Sequence, residues 1–187
     1  MGSNPRRVAV GVDQNRLSML LAVLHRHGGL QLGDQDVFAN VVGGIKVAET
    51  SADLALLLAI VSSYRDRSIA AGLVSFGEVG LSGEIRPVPS GGERLLEAAK
   101  HGFRRAIVPL ANVPRKPVEG MEVVGVSNLA QALDARAVLV PFGKPFAPGL
   151  GRCRREILDR LALAGRLARV HPGLEVRRLE VRKRQQQ

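Results

Sequence analysis

Two hydrophobic periodicities alternate along the first 135 residues, and this alternation limits the chain to folds that pack helices against sheets. Strand-like alternation in VAVGV at residues 8–12 precedes a helical period from Asn15 to His27. A second strand pattern, DVFANVVGGIKV, precedes an Ala-Leu-rich helix that runs to about Tyr64. Mixed periods of this kind predict an α/β (α+β) fold, a mixed sheet with packed helices.

The same alternation continues to residue 135. LVSFGEV and GEIRPV read as two strands with a hairpin turn at Gly80–Gly83. A helix from about Gly92 to His101 ends at Gly102, a residue type favoured after helix ends. The strands AIVP and MEVVGV and the helix NLAQALDA complete the region. Thr50 or Ser51 is expected to cap the Ala-Leu-rich helix.

Charge divides the chain into two regions. Up to Ala135 there are 14 Lys or Arg and 13 Asp or Glu, a net of +1, whereas from Arg136 onward there are 13 and 4, a net of +9. We therefore predict a domain at 1–135, a Pro/Gly linker at 136–151 and a basic C-terminal extension at 152–187. The extension is open to three interpretations: a nucleic-acid arm, a helix that packs on a partner, or sequence unrelated to the native protein.

Several functional classes are disfavoured by composition. The apolar run LALLLAIV is far shorter than the roughly 20 residues of a membrane span, and no secretory signal pattern follows MGSNPRR. A single cysteine, Cys153, suits the reducing cytoplasm. The four histidines have no cysteine partners at zinc spacing, so we expect no metal site. No phosphate-loop string of the Gly-Lys-Ser or Gly-Lys-Thr type occurs.

Three long strings carry a family resemblance: VAVGVDQNRLSMLLAVLHRHGG, DVFANVVGGIKVAETSADLALLLAIVSS and VSFGEVGLSGEIRPVPSGGERLLEAAKHGFRRAIVP. Together they resemble the C-terminal domain of the bacterial RadA (Sms) family over about residues 5–135. The resemblance implies a Lon proteolytic-domain fold, similar to ribosomal protein S5 domain 2, and a role in recombinational DNA repair. It also implies a zinc finger and a DNA-dependent ATPase upstream, so ATP, Mg and Zn are expected only there and no cofactor is expected in this chain.

The resemblance also identifies a serine whose catalytic partner is missing. Lon peptidases activate a serine with a lysine that acts as general base, and here Ser51 takes the serine position. Counting forward from Gly77-Glu78 and back from Gly102 both place the lysine position at Gly92. Ser51 is therefore expected to be a vestigial nucleophile, and Asp53 is expected to put a carboxylate near the oxyanion region. An active Lon-type serine peptidase using Ser51 is the alternative.

The resemblance further implies contacts with DNA, single-stranded or branched, and with other copies of the chain in a hexameric ring. Phosphate contacts require clustered cations without base-specific geometry. The candidate DNA-binding residues are Arg65, Arg67, Lys100, Arg104, Arg105, Arg115 and Lys116. Aromatic residues make up only 3% of the chain, which leaves little material for base stacking. A purely structural oligomerisation module is a further alternative.

Overall fold

The computed structural model describes residues 5–41, 46–134, 139–141 and 180–182. The described residues alternate between strands and helices, which confirms the predicted α/β class, whereas the more specific Lon-type fold stays a prediction. In chain order the elements are β1 (Arg7–Val10), α1 (Gln14–Gly28), β2 (Asp36–Asn40), α2 (Asp53–Tyr64), β3 (Arg67–Ile69), β4 (Leu73–Ser75), β5 (Glu78–Val79), β6 (Ile85–Arg86), α3 (Gly91–Lys100), β7 (Arg105–Pro109), β8 (Glu122–Val126), α4 (Leu129–Asp134), β9 (Leu139–Pro141) and β10 (Glu180–Arg182).

Among the described residues, the strands form two three-stranded sheets and two strand pairs. The order β4-β7-β8 is parallel throughout, with Leu73 opposite Arg105 and Arg105 opposite Glu122. In the other sheet, β1 is parallel to β2 and β10 is antiparallel to it, so that sheet is mixed. β3 pairs with β9, and β5 pairs with β6, both antiparallel. Parallel neighbours need long crossover connections, and α1 and α3 lie within two of these crossovers.

The parallel sheet separates two hydrophobic clusters. Because side chains alternate along a strand, Leu73 joins one cluster and its neighbour Val74 joins the other. The first cluster is built largely from α1 and α2, including the fully buried Leu57 and Leu58. The second packs α3 against the opposite face, with Leu95 at its centre. Coverage on both faces explains why β7 is apolar without a break after its first residue.

The segment predicted as one strand, LVSFGEV, forms two. Gly77 has φ 155°, and a Cβ there would lie 3.0 Å from Ile85 and 3.2 Å from Pro109. Because glycine has no side chain, the backbone can pass this close to Ile85 and Pro109. At this residue the chain leaves the parallel sheet after β4 and enters the hairpin as β5. The hairpin turn at Gly80–Gly83 is confirmed, since the Gly80 amide donates to the Glu84 carbonyl.

The expected cap of α2 is wrong. Thr50–Ala52 form a 3-10 turn, and α2 begins at Asp53 with Ala52 at the N-cap position and without a side-chain cap. The Thr50 hydroxyl donates instead to Glu78 at 2.7 Å. α2 still ends at Tyr64, and α1 ends before Gly29 in the left-handed conformation, as the glycine pattern predicts.

The carboxylate of Asp53 joins three elements. Arg16 of α1 donates through Nε to Asp53 Oδ1 at 3.0 Å and through Nη2 to Oδ2, while the Val79 amide of β5 donates to Oδ2 at 3.1 Å. Asp53 is 4% exposed, and this burial raises the pKa of its carboxyl, against the opposing effect of Arg16. The hydrogen bond to Asp53 raises the pKa of the Arg16 guanidinium in turn.

The predicted linker and extension lie mostly outside the described residues. Two short strands from these segments are described, and they pair with the domain: β9 with β3 and β10 with β2. The domain limits at 135 and 151 therefore stay predictions. Within the described part of the chain, no helix has the length and apolar character needed to cross a membrane.

We expect Arg16→Met to lower the free energy of unfolding by about 3 kcal/mol, because a buried carboxylate then loses its cation. Urea denaturation monitored by far-ultraviolet circular dichroism measures the loss. Arg26→Met, on an exposed position of the same helix, is the matched control and should change stability by less than about 0.5 kcal/mol. Equal losses in the two variants would contradict a special role for the Arg16–Asp53 pair.

Candidate functional site

Ser51 lies in the 3-10 turn that precedes α2 and is 5% exposed. Its hydroxyl donates to Glu49 Oε2 at 2.8 Å. The backbone of the turn is also fixed, because the Gly77 amide donates to the Ser51 carbonyl at 2.8 Å and the Leu54 amide donates to the Gly77 carbonyl at 3.1 Å. Main-chain bonds therefore hold the turn against the junction of β4 and β5, and the side-chain bond joins the serine to Glu49.

Arg94 of α3 reaches the same carboxylate. Its Nη2 donates to Glu49 Oε2 at 3.0 Å, and its Nε donates to the Pro89 carbonyl at 3.2 Å. Arg94 is 6% exposed, whereas the Glu49 side chain is 42% exposed. One carboxylate oxygen thus links the serine before α2 to a buried guanidinium on α3, and we call these three residues the Glu49 cluster.

Gly92, the position predicted to have lost a lysine, has free space around it. Gly92 is the second residue of α3, and a Cβ built there would have no neighbouring atom within 4 Å. Its neighbour Gly91 is different, because a Cβ there would lie 2.4 Å from Asn112 Nδ2. The Asn112 side chain hydrogen-bonds both the amide and the carbonyl of Val88, so it cannot move away without losing these bonds.

This arrangement is poorly suited to general-base catalysis. The hydrogen-bond partner of the Ser51 hydroxyl in the described residues is the carboxylate of Glu49, which also pairs with Arg94, and not an amine. Lys100 pairs with Glu97 instead. The Asp53 carboxylate bonds Arg16 and Val79 rather than Ser51. The vestigial role of Ser51 and the lysine position at Gly92 stay predictions.

Sequence reasoning missed Glu49 and the position of Arg94. Each lies two residues from a predicted dyad position, Glu49 before Ser51 and Arg94 after Gly92. Their opposite charges beside two positions expected to be close in space were the available signal. The spacing of 45 residues between them gives no local pattern from which a contact could be read.

Three of the predicted DNA-binding residues gather at one end of the parallel sheet. Lys100 ends α3, Arg104 precedes β7, and Arg105 is the first residue of β7. A Cβ on Gly120 would lie 3.0 Å from Arg104 Nη1, which places that guanidinium beside the turn before β8. Lys100 pairs with Glu97 at 3.1 Å, and Arg105 pairs with Glu122 at 3.3 Å.

The other four candidates lie on different connections. Arg65 follows α2 and Arg67 begins β3; both are exposed and lie on either side of Asp66, whose φ is 48°. Arg115 and Lys116 are exposed in the loop between β7 and β8. The seven candidates therefore form one group of three and two separate pairs, and their contact with DNA stays a prediction.

Comparison with known proteins gives one family and a set of bacterial relatives. Residues 10–112, more than half of the chain, match the family described as subunit ChlI of Mg-chelatase. The chain is 77% identical over 133 residues to the DNA repair protein RadA of Salmonella typhimurium and 74% identical over 133 residues to that of Escherichia coli. It is 48% identical over 132 residues to the RadA of Bacillus subtilis. The matched segment covers 71%, 71% and 70% of this chain, and 29% of each relative. The chain thus spans less than a third of these curated relatives.

The family match corrects the cofactor prediction. We expected no cofactor in this chain and assigned ATP, Mg and Zn to upstream domains, whereas residues 10–112 match an AAA-type, ATP-binding family. ATP can therefore not be assigned to upstream segments alone. The described residues contain no group of three or more His, Cys, Asp or Glu that could hold a metal ion. The sequence has no Gly-Lys-Ser or Gly-Lys-Thr string, so we assign no residue to phosphate or magnesium.

We expect Gly92→Ala to stabilise the chain by about 0.5–1 kcal/mol, because the position is helical and open and alanine restricts the unfolded chain. Gly91→Ala should instead be destabilising by about 1 kcal/mol or more, since its Cβ would displace Asn112. Thermal unfolding of the two single variants against the parent chain measures both effects. Stabilisation by Gly91→Ala, or a loss at Gly92→Ala, would contradict the packing described for the start of α3.

Proposed function

Because the chain belongs to the family described as subunit ChlI of Mg-chelatase and its relatives are named DNA repair protein RadA, we propose a role as a peptidase-inactive, Lon-like domain of a RadA-type repair protein. In this role it binds DNA without sequence specificity and supports ring assembly in the cytoplasm. The observation that carries the proposal is the high identity to the enterobacterial RadA proteins along most of the chain. A repair role and contact with DNA come from the names of those relatives.

The placement of basic side chains supports a phosphate-binding surface. Lys100, Arg104 and Arg105 lie within one short stretch at the end of the parallel sheet, and all three are exposed. DNA phosphates would compete with Glu97 and Glu122 for Lys100 and Arg105. Exposed ion pairs contribute little to stability, so such an exchange costs the fold little. Contacts of this kind neutralise phosphates without reading bases.

Self-association is the second part of the proposal. We propose that copies of the full-length protein form a hexameric ring, in which this domain contributes to subunit contacts. A purely structural oligomerisation module is the competing function, and it shares the fold and the ring but not the DNA contact. The two are separated by whether assembled rings retain DNA.

We expect DNA retention by the chain to collapse as salt rises from about 50 to 200 mM, because binding through phosphates releases counterions. The double variant Arg104→Gln/Arg105→Gln should reduce the slope of log affinity against log salt by about 2. Fluorescence anisotropy with a labelled oligonucleotide measures both. Arg86→Gln, whose exposed guanidinium lies on the β5–β6 hairpin, is the matched control.

Salt-insensitive DNA binding would contradict the phosphate-contact proposal. Rings that form normally and retain no DNA would favour the structural module. An unchanged slope in the double variant, with normal binding, would move the DNA surface to another part of the chain.

We expect the parent chain not to cleave casein or fluorogenic peptides, because the Ser51 hydroxyl is bonded to an ion-paired carboxylate rather than to an amine base. Product release should equal that of Ser51→Ala over a long incubation. Turnover by the parent chain that Ser51→Ala abolishes would establish the alternative, an active Lon-type serine peptidase.

A further inference from the structure

In the Glu49 cluster two side chains are buried and the third is exposed to solvent, a difference that indicates a binding site. The guanidinium and the serine belong to the fixed interior, since Arg94 is 6% and Ser51 is 5% exposed. The Glu49 side chain is 42% exposed and comes from an extended residue that precedes the 3-10 turn. The cation and the hydroxyl are therefore built into the fold, while the anion reaches them from the solvent side.

A buried guanidinium has a strong requirement for an anion. A charge removed from water is tolerated when a counter-charge and hydrogen bonds replace the lost hydration. Here one oxygen, Glu49 Oε2, accepts both from Arg94 and from the Ser51 hydroxyl. Any oxyanion placed at that point would receive the same two donors.

The surroundings leave room for a second carboxylate to approach. Gly92, two residues before Arg94, has open space where a side chain would project. α3, which carries Arg94, begins without a side-chain cap, so its first amides add positive potential, offset in part by Glu93 in the first turn. These features are independent of the charges of the cluster, and both favour an anionic group from outside.

We propose that Arg94 and Ser51 form a carboxylate-binding site, that Glu49 is its internal, displaceable occupant, and that its external ligand is a molecule with a free carboxylate group. Glu49 competes with that ligand as a tethered carboxylate at high effective concentration. The site does not depend on DNA binding by the chain and could exist whether or not the proposed repair role is correct.

Chemical rescue in the 187-residue chain tests the site. Glu49→Ala should lower the melting temperature by about 5 °C or more, because it removes the carboxylate from a buried cation. Acetate at roughly 100 mM should restore more than half of that loss in a saturable way, by mass action on the folded state. Potassium chloride at the same ionic strength should restore little. If Glu49→Ala is unfolded without added anion, the folded fraction against acetate concentration replaces the melting temperature.

Two control variants make the rescue specific. Glu78→Ala removes the neighbouring carboxylate that accepts from Thr50, and it should show no acetate response beyond that of chloride. The double variant Glu49→Ala/Arg94→Met should lose the rescue, because the cation that binds acetate is gone. Rescue that persists in the double variant, or that is as strong in Glu78→Ala, would overturn the proposal.

Two further measurements separate the ligand classes and test displacement in the parent chain. Inorganic phosphate that rescues Glu49→Ala as well as acetate does would overturn the assignment to carboxylates in favour of a general oxyanion site. In the parent chain, the nitrogen-15 signal of Arg94 Nε should shift with acetate, with an affinity about tenfold or more below that of the variant. A signal that does not move at any acetate concentration would show that Glu49 is a fixed structural partner.

Discussion

The buried carboxylate of Asp53 sets the position of the element on which the candidate site depends. It fixes the first residue of α2 to α1 through Arg16 and to β5 through the Val79 amide. The 3-10 turn that carries Ser51 ends at Ala52, so its orientation follows from this anchor. The same contacts explain why Asp53 takes no part at the serine: its carboxylate is already used for packing three elements together.

Much of the fold could be predicted from periodicity and glycine placement, because these signals are local. α1 and α2 lie within a residue or so of their predicted limits, except that the start of α2 was assigned to the wrong cap. That error has a physical cause: hydroxyls near a helix start usually bond its amides, but here the hydroxyls of Thr50 and Ser51 donate to the carboxyl groups of Glu78 and Glu49. The division of the predicted strand at Gly77 could not be predicted, because it depends on contacts with Ile85 and Pro109, which are distant in sequence.

The candidate site was predictable in position but not in chemistry. Family resemblance assigned the dyad positions to Ser51 and Gly92, and Arg94 of α3 shares the Glu49 carboxylate with the Ser51 hydroxyl. The contacts that define the site join residues two and 45 apart in sequence, and neither spacing belongs to a recognised catalytic pattern. The cofactor prediction failed for a different reason, since it rested on the lack of a phosphate-loop string and on the assignment of ATP to upstream domains, whereas the family match covers residues 10–112.

Gly77 has a consequence for the cooperativity of folding. Val74 and Phe76, just before it, belong to the cluster around α3, and Val79, just after it, belongs to the cluster around α1 and α2. The amide and carbonyl of Gly77 itself bond the turn that carries Ser51 and the first turn of α2. Unfolding of either hydrophobic cluster would displace Gly77 and so disturb the packing of the other cluster. We therefore expect the two halves of the interior to unfold as a single unit rather than as separable subdomains.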